Sequence, residues 1–393
     1  MKMATTSDRA AGAGTRIVLA YSGGLDTSIA IPWLRETYRA DVVAVTMDLG
    51  QGQALDAVRE RALAAGAVRA HVLDLREAFA RDFILPALKA CAIYENRYPL
   101  ATALGRPLIA ERLVEVAHIE GATVIAHGGT NVGHDHVRFQ TFVAALDPSL
   151  SVIAPAMTWP FTRPDAIAYA RRQGLGVPPG ADSPYRVDTN LWGRSIQCGV
   201  IEDPWQEPPE EIYQLTKAPD DAPSAPAYVE VEFDRGTPVA VNGVAMPLVD
   251  LIQSLETIAG VHGVGRVDMV ENRLVGMKSR EVYEAPAAVV LHAAHKDLQA
   301  LVTPRDLERL TADLGVRYAD LAYHGHWYTP TREAIDALVD KVQEKVTGTI
   351  RLKLFKGGCH VVGRSSPHAL YDAATGELTP VRPPAPLTPS SIS

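Results

Sequence analysis

Through the first half of the chain, short apolar runs alternate with stretches in which apolar residues recur at helical spacing. Runs at 17–21 (IVLAY), 41–47 (DVVAVTM), 70–75, 123–127 (TVIAH) and 152–154 predict strands. Between them, 54–65 and 76–90 predict helices, and Ile109, Leu113, Val116 and Ala117 mark one face of another. Strands without a polar side belong to a sheet covered on both faces, so the expectation is an α/β, doubly wound parallel sheet.

The pattern changes at 174–184 (GLGVPPGADSP), where Gly and Pro break any regular element. Beyond it strands alternate: Val229, Val231 and Phe233 interleave with Glu230 and Glu232, and Ile350, Leu352 and Leu354 with Arg351 and Lys353. Lys356-Gly357-Gly358 then predicts a hairpin turn. An amphipathic helix carrying Ile335, Leu338, Val339, Val342 and Val346 precedes it. The second half therefore reads as α+β. Expected divisions are a disordered N-terminus (1–14), a nucleotide-binding domain (15–177), a synthetase and multimerisation domain (178–371) and a Pro-rich tail (372–393).

A length of 393 residues agrees with two domains. The formal net charge of -8, with no concentration of Lys or Arg, argues against a nucleic-acid partner. Cys91, Cys198 and Cys359 are widely spaced and match no metal-ligand pattern, which predicts reduced thiols. Neither a leader-like stretch nor a membrane-length apolar run is evident, and the expected location is the cytoplasm.

The sharpest chemical signal is AYSGGLDTS at 20–28, which follows the first strand and opens a helix. Gly23 and Gly24 let a backbone approach an anion closely, Ser22, Thr27 and Ser28 add hydroxyls, and a helix start supplies free N–H groups. Asp26 fits such a loop if a metal accompanies the phosphates, or if it caps the helix. The loop has neither the Lys of a Walker A motif nor the G-x-G-x-x-G spacing. A plain strand-to-helix turn is the ordinary alternative. SGGxD[ST] resembles the fingerprint of the ATP pyrophosphatases, which release AMP and pyrophosphate. No Ser-His-Asp or Cys-His arrangement suggests a protein nucleophile.

Further motifs follow in order: MDLGQ (47–51), YENRYPLATALGRPLIA (94–110), HGGTNVGHDHVRF (127–139), NLWGRS (190–195), GVIEDP (199–204) and HGVGRVDMVENRLVGMKSREVYEAP (262–286). Together they resemble the argininosuccinate synthase family over roughly 16–371. The resemblance implies a PP-loop ATP pyrophosphatase domain joined to a synthetase domain. It also implies ligation of L-aspartate to L-citrulline through a citrullyl-adenylate, Mg²⁺ arriving with ATP, and a homo-oligomer, dimer or tetramer. ATP would meet Ala20, Tyr21, Ser22, Gly23, Gly24, Leu25, Asp26, Thr27, Ser28, Met47 and Gly128. Aspartate would meet Thr130, His134 and Asp135. Citrulline would meet Tyr98, Ala103, His134, Arg138, Arg186, Ser195, Glu271 and Tyr283. Ser22, Asp26 and Asp135 would be the catalytic residues.

The chain departs from the family pattern at several of these positions. Asn131 and Val132 stand for Gly and Lys, His134 for Asn, Ala103 for Ser, Arg186 for Ser and Gln197 for Glu. Arg186 brings a charge and a long stem where a hydroxyl is usual, so a second expectation is a related AMP-forming ligase with a more anionic acceptor. HDH at 134–136 and HGH at 324–326 lack a partner motif, and no dedicated metal site is expected.

Overall fold

The computed structural model describes residues 15–52, 54–130, 134–159, 161–176, 180, 183–274 and 276–371. The expected N-terminal segment and Pro-rich tail, and the substituted Asn131 and Val132, lie outside the described residues.

The apolar runs of the first half become five parallel strands in the order β3-β2-β1-β4-β5. The chain runs β1 (Arg16–Ala20), α1 (Leu25–Tyr38), β2 (Asp41–Asp48), α2 (Leu55–Ala64), β3 (Arg69–Asp74), α3 (Arg76–Phe79), α4 (Leu85–Lys89) and α5 (Ala101–Glu120). It continues through β4 (Val124–Ala126), α6 (Asp135–Leu146), β5 (Ser151–Ile153), α7 (Pro155–Thr158) and α8 (Arg163–Arg172). Alternate residues of β1 serve opposite faces. Ile17 and Leu19 pack with Leu34 of α1 and Val58 and Ala62 of α2, while Val18 packs with Leu104 and Leu108 of α5. Burial on both sides is why β1, β2 and β4 carry no polar alternation, while the edge strands β3 and β5 are only partly buried.

The helix expected over 76–90 is interrupted by a π turn, Ala80–Ile84, between α3 and α4. Pro86 has no N–H to offer Asp82, and just before it Leu85 N–H bonds back five residues to Ala80. β1 lies between β2 and β4, so the connections leaving β1 and β4 diverge at the C-terminal edge of the sheet. That edge is where open α/β sheets form a crevice.

The second half contains β6 (Arg186–Asn190), β7 (Gly193–Gln197), β8 (Ala227–Asp234), β9 (Thr237–Val241), β10 (Val244–Ala245), α9 (Leu248–Val261), β11 (Arg266–Asn272) and β12 (Lys278–Glu284). After these come α10 (Pro286–Val302), α11 (Arg305–Tyr323), α12 (Pro330–Gln343), β13 (Gly348–Phe355) and β14 (Gly358–Ser365). Two antiparallel sheets result, β10-β9-β8-β13-β14 and β11-β12-β7-β6. The expected alternating strands are β8 and β13. Lys356 and Gly357 turn with φ of 49° and 84°, the positive pair a primed hairpin turn requires. No described helix is long and apolar enough to cross a membrane.

Candidate active site

The phosphate loop is held from below. Tyr21 N–H donates to Val45 O (2.9 Å) and Thr46 Oγ1 donates to Tyr21 O (3.0 Å), fixing the exit of β1 against β2. Gly23 has φ of 75°, and a Cβ there would lie 3.0 Å from Val58 Cγ1 and from Arg61 Nη2. Only glycine fits that backbone and that space. Gly24 caps α1 without a side-chain cap of its own, so the N–H groups of the first turn have no intrahelical acceptor. Ser22 Oγ accepts from Gly24 N–H (3.3 Å) and lies 3.1 Å from Thr27 Oγ1.

Side chains in the loop divide into two groups. Ser22 is exposed and Asp26 half-exposed, whereas Tyr21, Leu25 and Ser28 turn inward, with Tyr21 Oη 3.0 Å from Ser28 Oγ. Burial pushes the Tyr21 hydroxyl up, against the Ser28 hydrogen bond and the charge of Arg61. Asp26 forms a 3.3 Å ion pair with Arg163 at the start of α8. One carboxylate beside phosphate oxygens is a fitting set for Mg²⁺, which uses few protein ligands when it arrives with a nucleotide. No group of three His, Cys, Asp or Glu gathers among the described residues. Gly128, after β4, brings its loop against the start of α1, where a Cβ would meet Thr27 Cγ2 at 2.8 Å. Met47 is the penultimate residue of β2 and is buried.

A second cluster sits on the β11-β12-β7-β6 sheet. Cross-strand register puts Ser195 opposite both Tyr283 and Asp188. Glu271 accepts two 2.6 Å bonds, from Tyr283 Oη on Oε2 and from Tyr323 Oη on Oε1. Tyr98 stacks on Tyr283 (4.1 Å between ring centres, 13°) and Tyr94 on Tyr323 (3.7 Å, 3°). Tyr98 Oη accepts from Thr102 N–H (2.9 Å), and Thr102 Oγ1 lies 3.0 Å from Ser195 Oγ. Burial raises the Glu271 carboxyl despite its two tyrosine donors, and pushes Glu281 up to about 7, with the neighbouring Glu271 adding to that.

Arg138 enters from α6. Its Nε donates to Tyr323 O (2.8 Å), its guanidinium lies 4.9 Å from the Tyr323 ring centre, and Nη1 is 3.5 Å from Asp135 Oδ1. The residue is buried. Ser195 lies within β7 and is buried. Glu271 and Arg138, ringed by hydroxyls, present the two charges that a free amino acid's ammonium and carboxylate require.

The loop after β4 links the two clusters. His134 Nδ1 accepts from Leu274 N–H (3.3 Å), which leaves the proton on Nε2, facing Tyr323 Oη at 3.3 Å. Burial first, then the charges of Arg138 and Arg273, pull His134 down to about 3, so its imidazole is neutral. Burial would raise the Asp135 carboxyl, but Arg106 and Arg138 hold it below its usual range. Arg106 bridges Asp135 (2.9 Å) and Asp188 (2.5 Å). Arg186 Nη1 donates to Thr130 Oγ1 (2.9 Å), so this substituted residue reaches across to the loop after β4. Gln197 lies opposite Arg186 in register, with its Oε1 3.4 Å from Arg273 Nη2. Ala103 is buried in α5.

Sequence reasoning missed Tyr94, Thr102, Arg106, Asp188, Arg273 and Tyr323. Thr102 and Arg106, four residues apart, share one face of α5, a spacing that could have revealed both. Tyr323 ends α11 with no local motif to mark it.

Two family models match the chain: the arginosuccinate synthase N-terminal HUP domain over 16–176 and the arginosuccinate synthase C-terminal domain over 185–379. Argininosuccinate synthase of Symbiobacterium thermophilum is 54% identical, over 92% of this chain and 90% of its own. Those of Rubrobacter xylanophilus (53%; 92% and 89%) and Gloeobacter violaceus (52%; 91% and 90%) are similarly close. Matched in both halves, and half identical to these synthases over nearly their whole length, the chain belongs to the argininosuccinate synthase family and is an ATP-dependent carbon–nitrogen ligase.

Proposed function

We propose that the chain joins L-citrulline to L-aspartate with cleavage of ATP to AMP and pyrophosphate, its two clusters holding the reactants. The observation that carries this reading is the convergence of the Glu271–Tyr283–Tyr323 group and the phosphate loop on the segment after β4, Gly128 against Thr27 and His134, at the start of α6, against Tyr323. The citrulline ureido oxygen attacks the α-phosphorus, and the bond to the β-phosphate oxygen breaks. The aspartate amine then bonds to the ureido carbon, AMP leaves with the oxygen, and the amine gives up its proton.

Each step needs alignment and charge stabilisation and no protein nucleophile. Glu271 takes the citrulline ammonium, Arg138 its carboxylate, and Ser195 and Tyr98 complete that pocket. Gly23, Gly24 and Ser22 cradle the phosphates, with adenine near Met47 and Gly128. Asp26 is the residue suited to Mg²⁺, which would neutralise phosphate charge when bound. Thr130 and Asp135 hold aspartate, and the Arg186–Thr130 bond supports placing the Arg186 charge beside the aspartate carboxylate, not at the acceptor. Synthases half identical to this chain do not favour the expectation of a different acceptor. A homo-oligomer working on diffusible substrates in the cytoplasm completes the reading.

With ATP, citrulline and aspartate, AMP and pyrophosphate should appear in equal amounts; ADP and phosphate as products would overturn the reading. Arg186→Ser should raise the KM for aspartate about tenfold, the lower end for a charge-assisted contact, and leave that for citrulline unchanged. A rise for citrulline alone would return Arg186 to the acceptor.

A further inference from the structure

Helix α2 turns Val58 and Ala62 into the core beneath β1, and Arg61, three residues after Val58, shares the edge of that face. Its guanidinium is thereby drawn against the phosphate loop, where Nη2 lies 3.0 Å from the position a Cβ on Gly23 would take. The Nε is fully buried and has no hydrogen-bond partner. Arg61 interacts with the Tyr21 hydroxyl, and among the described residues no carboxylate pairs with it. A buried arginine donor with no acceptor is costly and uncommon in a native fold. The other end of the same guanidinium, Nη2, lies beside a loop whose helix-start N–H groups have no side-chain cap and whose Ser22 hydroxyl is exposed.

We propose that Arg61 is a phosphate-binding residue that grips the pyrophosphate portion of ATP from the α2 side, opposite the N–H groups of the loop. The proposal rests on the assignment of the loop to ATP. As the bond between the α-phosphorus and the bridging oxygen breaks, negative charge grows on the departing pyrophosphate. A guanidinium fixed by Val58 and Gly23 meets that charge without rearrangement. This position also explains why Gly23 cannot be larger: a side chain would displace the guanidinium as well as strain the turn.

The test uses inorganic pyrophosphate as probe, with the full chain and the variants Arg61→Gln and Arg61→Lys, reading pyrophosphate affinity by calorimetry and inhibition of AMP formation. Arg61→Gln should weaken pyrophosphate about ten- to a hundredfold and raise the KM for ATP, Arg61→Lys should recover part of the loss, and the KM values for citrulline and aspartate should not move. A purely structural Arg61 would lower the melting temperature and leave pyrophosphate affinity at its wild-type value, and that result overturns the proposal. Should Arg61→Gln fail to fold, the Lys variant decides: full wild-type affinity together with an unchanged KM for ATP counts against it. A wild type that neither binds pyrophosphate nor makes AMP would overturn the loop assignment with it, whereas equal binding by wild type and Arg61→Gln overturns this proposal alone.

Discussion

At the scale of single residues, the fold holds several titratable groups away from their ordinary state. His292 in α10 is the clearest outside the active site: both ring nitrogens are buried without a partner, near Trp192. Burial, with neighbouring His295 adding to it, pulls His292 down to about 3. Folded and unfolded chains therefore differ by one proton between about pH 3 and the ordinary histidine range near 6.5, the unfolded chain holding more. Stability attributable to this group is complete above that range and is lost as pH falls, by about 1.4 kcal/mol per pH unit. His292→Leu should flatten this dependence, visible as a smaller loss of urea midpoint from about pH 7 to about pH 5, because the other buried groups are common to both proteins. It should also stabilise the fold at neutral pH by about 1–3 kcal/mol, having removed polar atoms that have no partner.

At the scale of elements, the end of β12 organises a segment with no regular structure of its own. The Glu284 carboxylate is fully buried and accepts from the N–H groups of Gln214, Leu215 and Thr216, from the Thr216 hydroxyl, and from Arg194. Arg266 extends the set by donating to Thr216 Oγ1 and covering the Tyr213 ring at 3.7 Å. Glu284→Gln would turn an amide donor towards N–H donors and leave Arg194 buried without its charge partner. An unfolding cost of about 3–5 kcal/mol is expected, with proteolytic cleavage near 213–217 appearing before global unfolding. How legible such elements were in the sequence followed from how much their surroundings imprint on residue type. The strands buried on two faces and the alternating β8 and β13 were readable, as was the turn at Lys356-Gly357. β7 was not: Gly193, Arg194, Ser195 and Gln197 are polar or small, yet the strand is buried because its polar groups face partners from distant segments. α10 was missed although Ala287, Val290, Leu291, Ala294, Leu298 and Val302 recur at helical spacing, because His292, His295 and Gln299 interrupt that buried face with polar residues. The phosphate loop was legible because its chemistry is local; Tyr323 was not, because only the tertiary fold brings it to Glu271.

At the scale of the molecule, the two halves share one apolar core, in which Phe83 stacks on Trp327, and are further joined by hydrogen bonds such as Trp192 to Pro99 O and Tyr328 to Pro107 O. Four more polar bridges between them pass through the active site: Arg106 to Asp188, Arg138 to Tyr323 O, Arg186 to Thr130, and Leu274 N–H to His134. Arg106 is the most enclosed link between carboxylates of opposite halves. Arg106→Met should leave Asp135 and Asp188 without their shared cation and raise the KM values for aspartate and citrulline together. In a calorimetric scan it should lower a single transition without splitting it, because the shared core keeps the halves one cooperative unit; two separate transitions would show that Arg106 is their main link. The stacked tyrosines around Glu271 have a consequence of another kind. Two nearly parallel, stacked ring pairs, with centres 3.7 and 4.1 Å apart, lie in van der Waals contact, and each pair contributes one hydroxyl to the same carboxylate. An ammonium arriving at Glu271 would draw on the charge that both hydroxyls face, so the near-ultraviolet circular dichroism of these rings should change when citrulline is added, and an unchanged spectrum at saturating citrulline would count against Glu271 as its ammonium partner.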